Sequence, residues 1–145
     1  MSVGRICQRE VDLAAVDENV SRAAERMHQR TVGSLIVLND DREPVGIITD
    51  RDLTIRVLAP GRDPFTTTVG DVMTKFPETV REETPIEHAL TLMRRGAFRR
   101  LPVVDRNGQL AGLVTLDDIM MLLSEELGSV GRLLESETPQ AAVPR

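Results

Sequence analysis

The chain contains neither tryptophan nor tyrosine, and only three phenylalanines in 145 residues. Its core must therefore be aliphatic, and a base-stacking platform for single-stranded nucleic acid lacks the aromatic planes it needs. A single cysteine, Cys7, excludes an internal disulfide and suits a reducing compartment. We read it as a small buried apolar residue rather than a reactive thiol. No apolar run is long enough to cross a bilayer, and the N-terminus lacks the apolar region of a secretory signal. The expectation is a soluble, cytoplasmic protein. Basic residues are also in deficit: 18 Lys and Arg stand against 23 Asp and Glu, a net charge of −5. That balance opposes non-specific binding to nucleic acid, which depends on neutralising phosphates.

Recognisable catalytic signatures are missing as well. There is no Gly-x-x-x-x-Gly-Lys-[Ser/Thr], no Gly-x-Gly-x-x-Gly and no His-Glu-x-x-His. One cysteine and two histidines, His28 and His88 on separate predicted helices, cannot assemble a zinc set. No nucleophile–base pair is apparent. The expectation is a protein without catalytic residues, catalytic cofactor or metal.

What is present is repetition. Gly46-Ile47-Ile48-Thr49-Asp50-Arg51-Asp52 returns 66 positions later as Gly112-Leu113-Val114-Thr115-Leu116-Asp117-Asp118. The same ungapped offset pairs Val3-Gly4 with Val69-Gly70, Met27 with Met93, Leu35 with Leu101 and Val37 with Val103. A register kept over such a span means two copies of one unit, and two like units packed together create two related clefts.

Each copy reads as β-α-β-β-α, giving a mixed α/β (α+β) fold. The first β-prone pieces are Val11 to Ala14 and Glu78 to Val80. Val20, Ala23, Ala24 and Met27, and in the second copy Ile86, Ala89, Leu90 and Met93, fall at helical spacing. Thr84-Pro85-Ile86-Glu87 predicts a helix start with Thr84 at the N-cap. Strands over Leu35–Leu38 and Val45–Ile48 flank Asn39-Asp40-Asp41-Arg42. Those over Leu101–Val104 and Leu110–Val114 flank Asp105-Arg106-Asn107-Gly108, a strong hairpin signal. A second helix starts at Thr49 or Thr115. The pattern assigns residues 1–58 to the first repeat, 59–68 to a Pro- and Thr-rich linker and 69–127 to the second repeat. Residues 128–145 form an extension in which the helix pauses near Gly128 and the tail frays.

The repeated Gly-aliphatic-aliphatic-Thr-x-x-Asp segment is the candidate site. Thr at a helix start can donate to a phosphate, and Asp one turn on can accept from both hydroxyls of a ribose. The same spacing is an ordinary capping box. Arg94, Arg95, Arg99 and Arg100 suit either a phosphate or a solvated basic face. Arg51 at a helix start suits a nearby anion, or a pair with Asp50 or Asp63.

Together with Phe98-Arg99-Arg100-Leu101-Pro102-Val103-Val104-Asp105, these segments resemble a CBS domain pair (cystathionine-β-synthase domains, or Bateman module) over about residues 3 to 125. The resemblance implies a pseudo-twofold, non-catalytic module. Its clefts would bind adenosine ligands: AMP, ADP, ATP, NADH or S-adenosylmethionine. It implies ribose recognition by Asp52 and Asp118, and phosphate recognition by Thr49, Thr115, Arg99 and Arg100. It places an adenine slot near Leu13, Ala14, Ile36, Thr79, Val80 and Val103. Gly33 and Ser34 stand where the second copy has Arg99 and Arg100, so two unequal sites are expected, the one at Asp52 preferring phosphorylated ligands. The family's use of helices in dimers points to a homodimer through Ile55, Leu58, Ile119, Leu122 and Leu123, residues that core burial explains equally well. The module would signal to an unknown protein partner. The alternatives are a scaffold with vestigial clefts and, against the acidic balance, a nucleic-acid module using the arginines at 94–100.

Overall fold

A computed structural model describes residues 1–137. The first repeat holds β1 (Leu13–Ala14), α1 (Val20–Arg30), β2 (Ser34–Leu38), β3 (Pro44–Thr49) and α2 (Asp50–Leu53). α2 continues as a π-helical turn over Thr54–Leu58. The second repeat holds α3 (Val69–Val72), β4 (Thr74–Lys75), β5 (Val80–Arg81), α4 (Ile86–Gly96), β6 (Arg100–Val104), β7 (Leu110–Thr115) and α5 (Leu116–Glu137). The β-α-β-β-α reading holds in both copies.

The strands form two sheets. One runs β1-β2-β3-β4 and the other β5-β6-β7. β4 belongs by sequence to the second repeat, yet it pairs antiparallel with β3 of the first, Ile47 opposite Thr74. The mirror relation holds at the other sheet, where Gln8 bridges Leu113 of β7. Backbone bonds repeat the exchange in register. Val69 N donates to Glu18 O and Gly70 N to Val16 O, both at 2.9 Å, while Val3 N donates to Thr84 O and Gly4 N to Glu82 O at the same distance. The apolar side chains follow. Val69 and Val72 sit in the first repeat's core with Leu35, Val37 and Ile48, and Val3 sits in the second with Leu101, Val103 and Val114. Ile36, Ile47 and Leu113 make a third cluster joining the two sheets.

This exchange explains the glycine in the repeated motif. A Cβ on Gly112 would lie 2.7 Å from the backbone oxygen of Gln8 and 2.8 Å from Cys7 Sγ. At Gly46 the side chain of Met73 fills the equivalent space. Glycine is there so that the crossing segment can lie on the strand.

The same crossing corrects the expected start of α4. Thr84 is not its N-cap; Pro85 occupies that position without a side-chain cap. Thr84 Oγ1 instead accepts from Arg81 N at 3.0 Å, and Ile86 N donates to Met1 O. The counterpart α1 is capped by Asn19, whose side chain accepts from Arg22 N. Just before it, Glu18 accepts from Arg26 at 2.6 Å, and that guanidinium holds its carboxyl below the usual range.

The hairpin turns form as their sequences predict. Asp105 Oδ1 accepts from Asn107 N and Gln109 N, and Gly108 takes φ +79°. The linker over residues 59–68 is held down: Ser21 N donates to Pro64 O, Val20 N donates to Thr67 O, and Thr67 is buried. α5 does not pause at Gly128 but runs unbroken to Glu137. The expected fraying of the tail falls largely on residues 138–145, outside the described part. No helix among the described residues is long and apolar enough to cross a membrane.

The two glycines differ in what blocks a methyl group. Gly112→Ala must push backbone, and is expected to lower stability by roughly 1–3 kcal/mol. Gly46→Ala displaces a flexible methionine and should cost less. Urea denaturation of both variants checks this; equal losses would contradict the crossing geometry.

Candidate functional site

The exchange creates a cleft. A cavity of about 510 Å³ opens where β3 and α2 of the first repeat meet β4, the segment after it, and the α4–β6 junction of the second. Thr49, Asp52, Arg99 and Arg100 all line it. These four were singled out from the sequence, and the fold brings them together from opposite halves of the chain.

Thr49 and Asp52 do form a capping box. Asp52 N donates to Thr49 Oγ1 at 3.2 Å, and Thr49 N donates to Asp52 Oδ2 at 2.9 Å. Capping uses only part of each group. The Thr49 hydroxyl accepts there and keeps its own hydrogen to give. Asp52 Oδ1 faces Arg56 Nε at 3.8 Å, beyond a hydrogen bond. The capping role and a ligand role are therefore compatible.

Thr115 and Asp118 are capped alike, with Thr115 N donating to Asp118 Oδ2 at 2.9 Å. Asp118 Oδ1, however, already accepts from Gln8 Nε2 at 3.1 Å. Both its oxygens are engaged, and Asp118 does not line the 510 Å³ cavity. Thr115 borders a smaller cavity of about 320 Å³ with Leu116, Asp117, Arg99 and Arg100.

The arginines are placed by small neighbours. A Cβ on Gly33 would lie 2.8 Å from Arg100 Nη2, so the guanidinium lies across the glycine that stands opposite Arg99 in the repeat register. Arg99 reaches Asp117 at 3.5 Å, an exposed pair of little net worth. Arg51 and Arg56 also line the larger cavity. Arg51 makes no ion pair with Asp50 or Asp63 among the described residues; its backbone N–H donates to Asp50 Oδ1. Arg94 and Arg95 are exposed and line neither cavity.

The six adenine-slot candidates lie elsewhere. Ile36, Val103, Ala14 and Val80 are buried in the cores, Leu13 is exposed at the edge strand, and Thr79 stands beside the cavity-lining Glu78 without lining it. The apolar wall of the cavity comes instead from Ile47, Phe76, Pro77 and Phe98. Sequence reading missed Phe76, Pro77 and Glu78 because only the exchange carries them to this cleft. A signal existed in positions where the copies differ: Phe98 stands opposite Val32, Phe76 opposite Glu10 and Arg56 opposite Leu122. Phe76 and Ala97, both lining residues, hold positive φ without being glycine, at 49° and 54°. At Ala97 this is the left-handed cap that ends α4, and Thr31 ends α1 in the same way.

Other groups offer no chemistry. His28 and His88 are exposed on separate helices. Cys7 is half-buried, and burial pushes its thiol pKa up, away from the reactive thiolate. No group of three His, Cys, Asp or Glu residues among those described could hold a metal. Of the expected helix seam, Ile119 is wholly buried and so unavailable, Leu122 is partly buried against the second core, and Ile55, Leu58 and Leu123 are exposed.

The chain belongs to the CBS domain family, whose model matches residues 3–59 and 69–125. It is a CBS domain pair, a regulatory module in a mixed α+β fold. An uncharacterised protein of Methanopyrus kandleri is 38% identical over 122 residues, a match covering 84% of this chain and 62% of that protein. The crystal structure of Hypoxic Response Protein I with two coordinated zinc ions is 31% identical, with a TM-score of 0.75 over 83% of this chain and 98% of that one. The CBS domain pair of protein MJ0100, in complex with 5′-methylthioadenosine and S-adenosylmethionine, is 26% identical, with a TM-score of 0.77 over 85% and 99% of the two chains.

Proposed function

We propose that this chain is a non-catalytic sensor that binds an adenosine-type ligand in the cleft at Asp52 and reports its occupancy to a partner. The observation that carries the reading is the convergence of Asp52, Thr49, Arg99 and Arg100 on one cavity built from both repeats. Asp52 Oδ1 would accept from the ribose hydroxyls. The base would lie on the apolar wall of Ile47, Pro77 and Phe98, and Thr49 and the two arginines would meet phosphate. Adenosine-bearing ligands bound by a structural neighbour support the class. Since the wall residues come from both repeats, a ligand that prefers one packing of the repeats would shift the module toward it. We place this activity in the cytoplasm, as the lone cysteine suggested.

We also infer a homodimer through α5. Met120, Leu123, Leu127 and Val130 are exposed and alternate in steps of three and four, the spacing of a helix that pairs with a like helix. Light scattering should give a dimer, and Leu127→Glu a monomer; a monomeric parent protein would contradict the seam.

Ligand binding is tested by thermal shift against AMP, ADP, ATP, NADH and S-adenosylmethionine, with GTP as control. A ligand at about 100 times its Kd adds roughly 2.7 kcal/mol, or several degrees. Asp52→Ala should abolish the shift, whereas Asp118→Ala should keep it. If Asp52→Ala keeps the full shift, the site assignment is wrong. If no ligand shifts the parent protein, the scaffold reading takes its place.

A further inference from the structure

We infer that the cleft at Asp52 selects a polyanionic ligand, a nucleoside di- or triphosphate at one per chain, and that its twofold counterpart at Asp118 does not take a second one. The inference rests on the adenosine reading above and adds the charge of the ligand and the number of working sites.

The repeat register allows a position-by-position comparison, because every residue lining the open cleft has a counterpart 66 positions away. Thr49 and Asp52 keep their identity as Thr115 and Asp118. The arginines do not. Arg51 corresponds to Asp117 and Arg56 to Leu122, while Arg99 and Arg100 correspond to Gly33 and Ser34. In the open cleft four arginines face two carboxylates, Asp52 and Glu78, a formal excess of two positive charges in a chain of net charge −5. By register the counterpart's own positions hold one arginine (Arg30, opposite Gly96) and four carboxylates, Glu10, Asp12, Asp117 and Asp118, while Arg99 and Arg100 also border Thr115 and Asp117 there. That is a formal excess of three negative charges by register, and of one when Arg99 and Arg100 are counted on that side as well. Phosphate is attracted to the first surface more strongly than to the second.

The counterpart is also partly filled, and the space left beside Thr115 is the smaller cavity of about 320 Å³. Gly96 brings no side chain of its own to the open cleft, and the Phe98 ring folds over it. Arg30, in the equivalent place, extends to Asp12 and pairs with it, Nε to Oδ1, at 2.8 Å. Asp12 in turn corresponds to Glu78, a lining residue of the open cleft. The pair thus spans the ground that the cavity occupies on the other side. Gln8, which corresponds to lining residue Thr74, closes the second flank by donating to Asp118 Oδ1 at 3.1 Å. The carboxylate that would hold a ribose is satisfied from within the chain.

Arg56 Nη1 donates to Val72 O at 2.7 Å and Arg99 pairs loosely with Asp117, but each guanidinium keeps further N–H groups to give, so the four together exceed what one phosphate needs. A monophosphate is matched by one or two arginine forks, and a chain of two or three phosphates can engage the others. A sulfonium ligand such as S-adenosylmethionine brings positive charge to a site already positive.

Isothermal titration of the full chain tests this with ATP, ADP, AMP, adenosine, S-adenosylmethionine and inorganic tripolyphosphate. One molecule should bind per chain. Affinity should rise from adenosine through AMP to ADP and ATP, with ATP at least roughly tenfold tighter than S-adenosylmethionine and the gap narrowing in high salt. Arg99→Ala combined with Arg100→Ala should shrink the difference in affinity between ATP and adenosine, and an unchanged difference would overturn the inference. Two molecules of ATP per chain, or S-adenosylmethionine binding as tightly as ATP in the parent protein, would overturn the inference without touching the adenosine reading. Tripolyphosphate binding as tightly as ATP, with adenosine inert, would overturn the adenosine reading and leave the charge assignment standing. Failure of all six molecules to bind would overturn both.

Discussion

Every feature of the cleft depends on one constraint: the opening segment of each repeat is bonded to the other repeat. Val3 and Gly4 are tied to Thr84 and Glu82, and Val69 and Gly70 to Glu18 and Val16, by four backbone hydrogen bonds of one length. Each bond is worth only about 1 kcal/mol net. The apolar side chains they carry weigh more, because Val3, Val69 and Val72 are almost wholly buried in a core to which their own repeat does not otherwise belong. Neither half can complete its sheet or its core alone. The repeats are therefore one cooperative body rather than two beads on a linker, and residues 59–68 are held against α1 instead of swinging free.

That coupling is what makes a ligand informative. β4 and the Phe76–Glu78 segment reach the cleft because the second repeat crosses the first, and Arg99 and Arg100 reach it because β6 begins there. A molecule seated between them touches Thr49 and Asp52 from one half and the arginines from the other. It can move the balance between two packings by as much as its affinities for them differ, and by no more.

Much of this was legible in the sequence, because local patterns and the repeat register carry it. Helix periodicity, the Asp105–Gly108 turn and the two Thr-x-x-Asp caps are short-range, and they form as read. Thr49, Asp52, Arg99 and Arg100 also border one cavity, the grouping that the family resemblance implied. Pairing of Val3 with Val69 was visible too, but not its meaning: which repeat a leading segment packs on is decided by tertiary burial. The misplaced cap at Thr84 follows from that, because Met1 O arrives from far away in sequence to accept from Ile86 N. Gly128 failed to stop α5 because a single glycine costs a helix only about 1 kcal/mol. Ile119 and Leu122 could not be divided from Leu123 by periodicity alone, as all three fall on a broad apolar stripe. The plugging of the second cleft rests on Arg30 meeting Asp12, 18 residues apart, which no local pattern announces.

The central claim is that one ligand bridges the two repeats at the Asp52 cleft. Hydrogen–deuterium exchange of the full chain, with and without saturating ADP, tests it most directly. Protection is expected together at 47–52, 74–78 and 97–101, with little change at 115–118. Protection confined to one repeat, or centred on 115–118, would contradict the account.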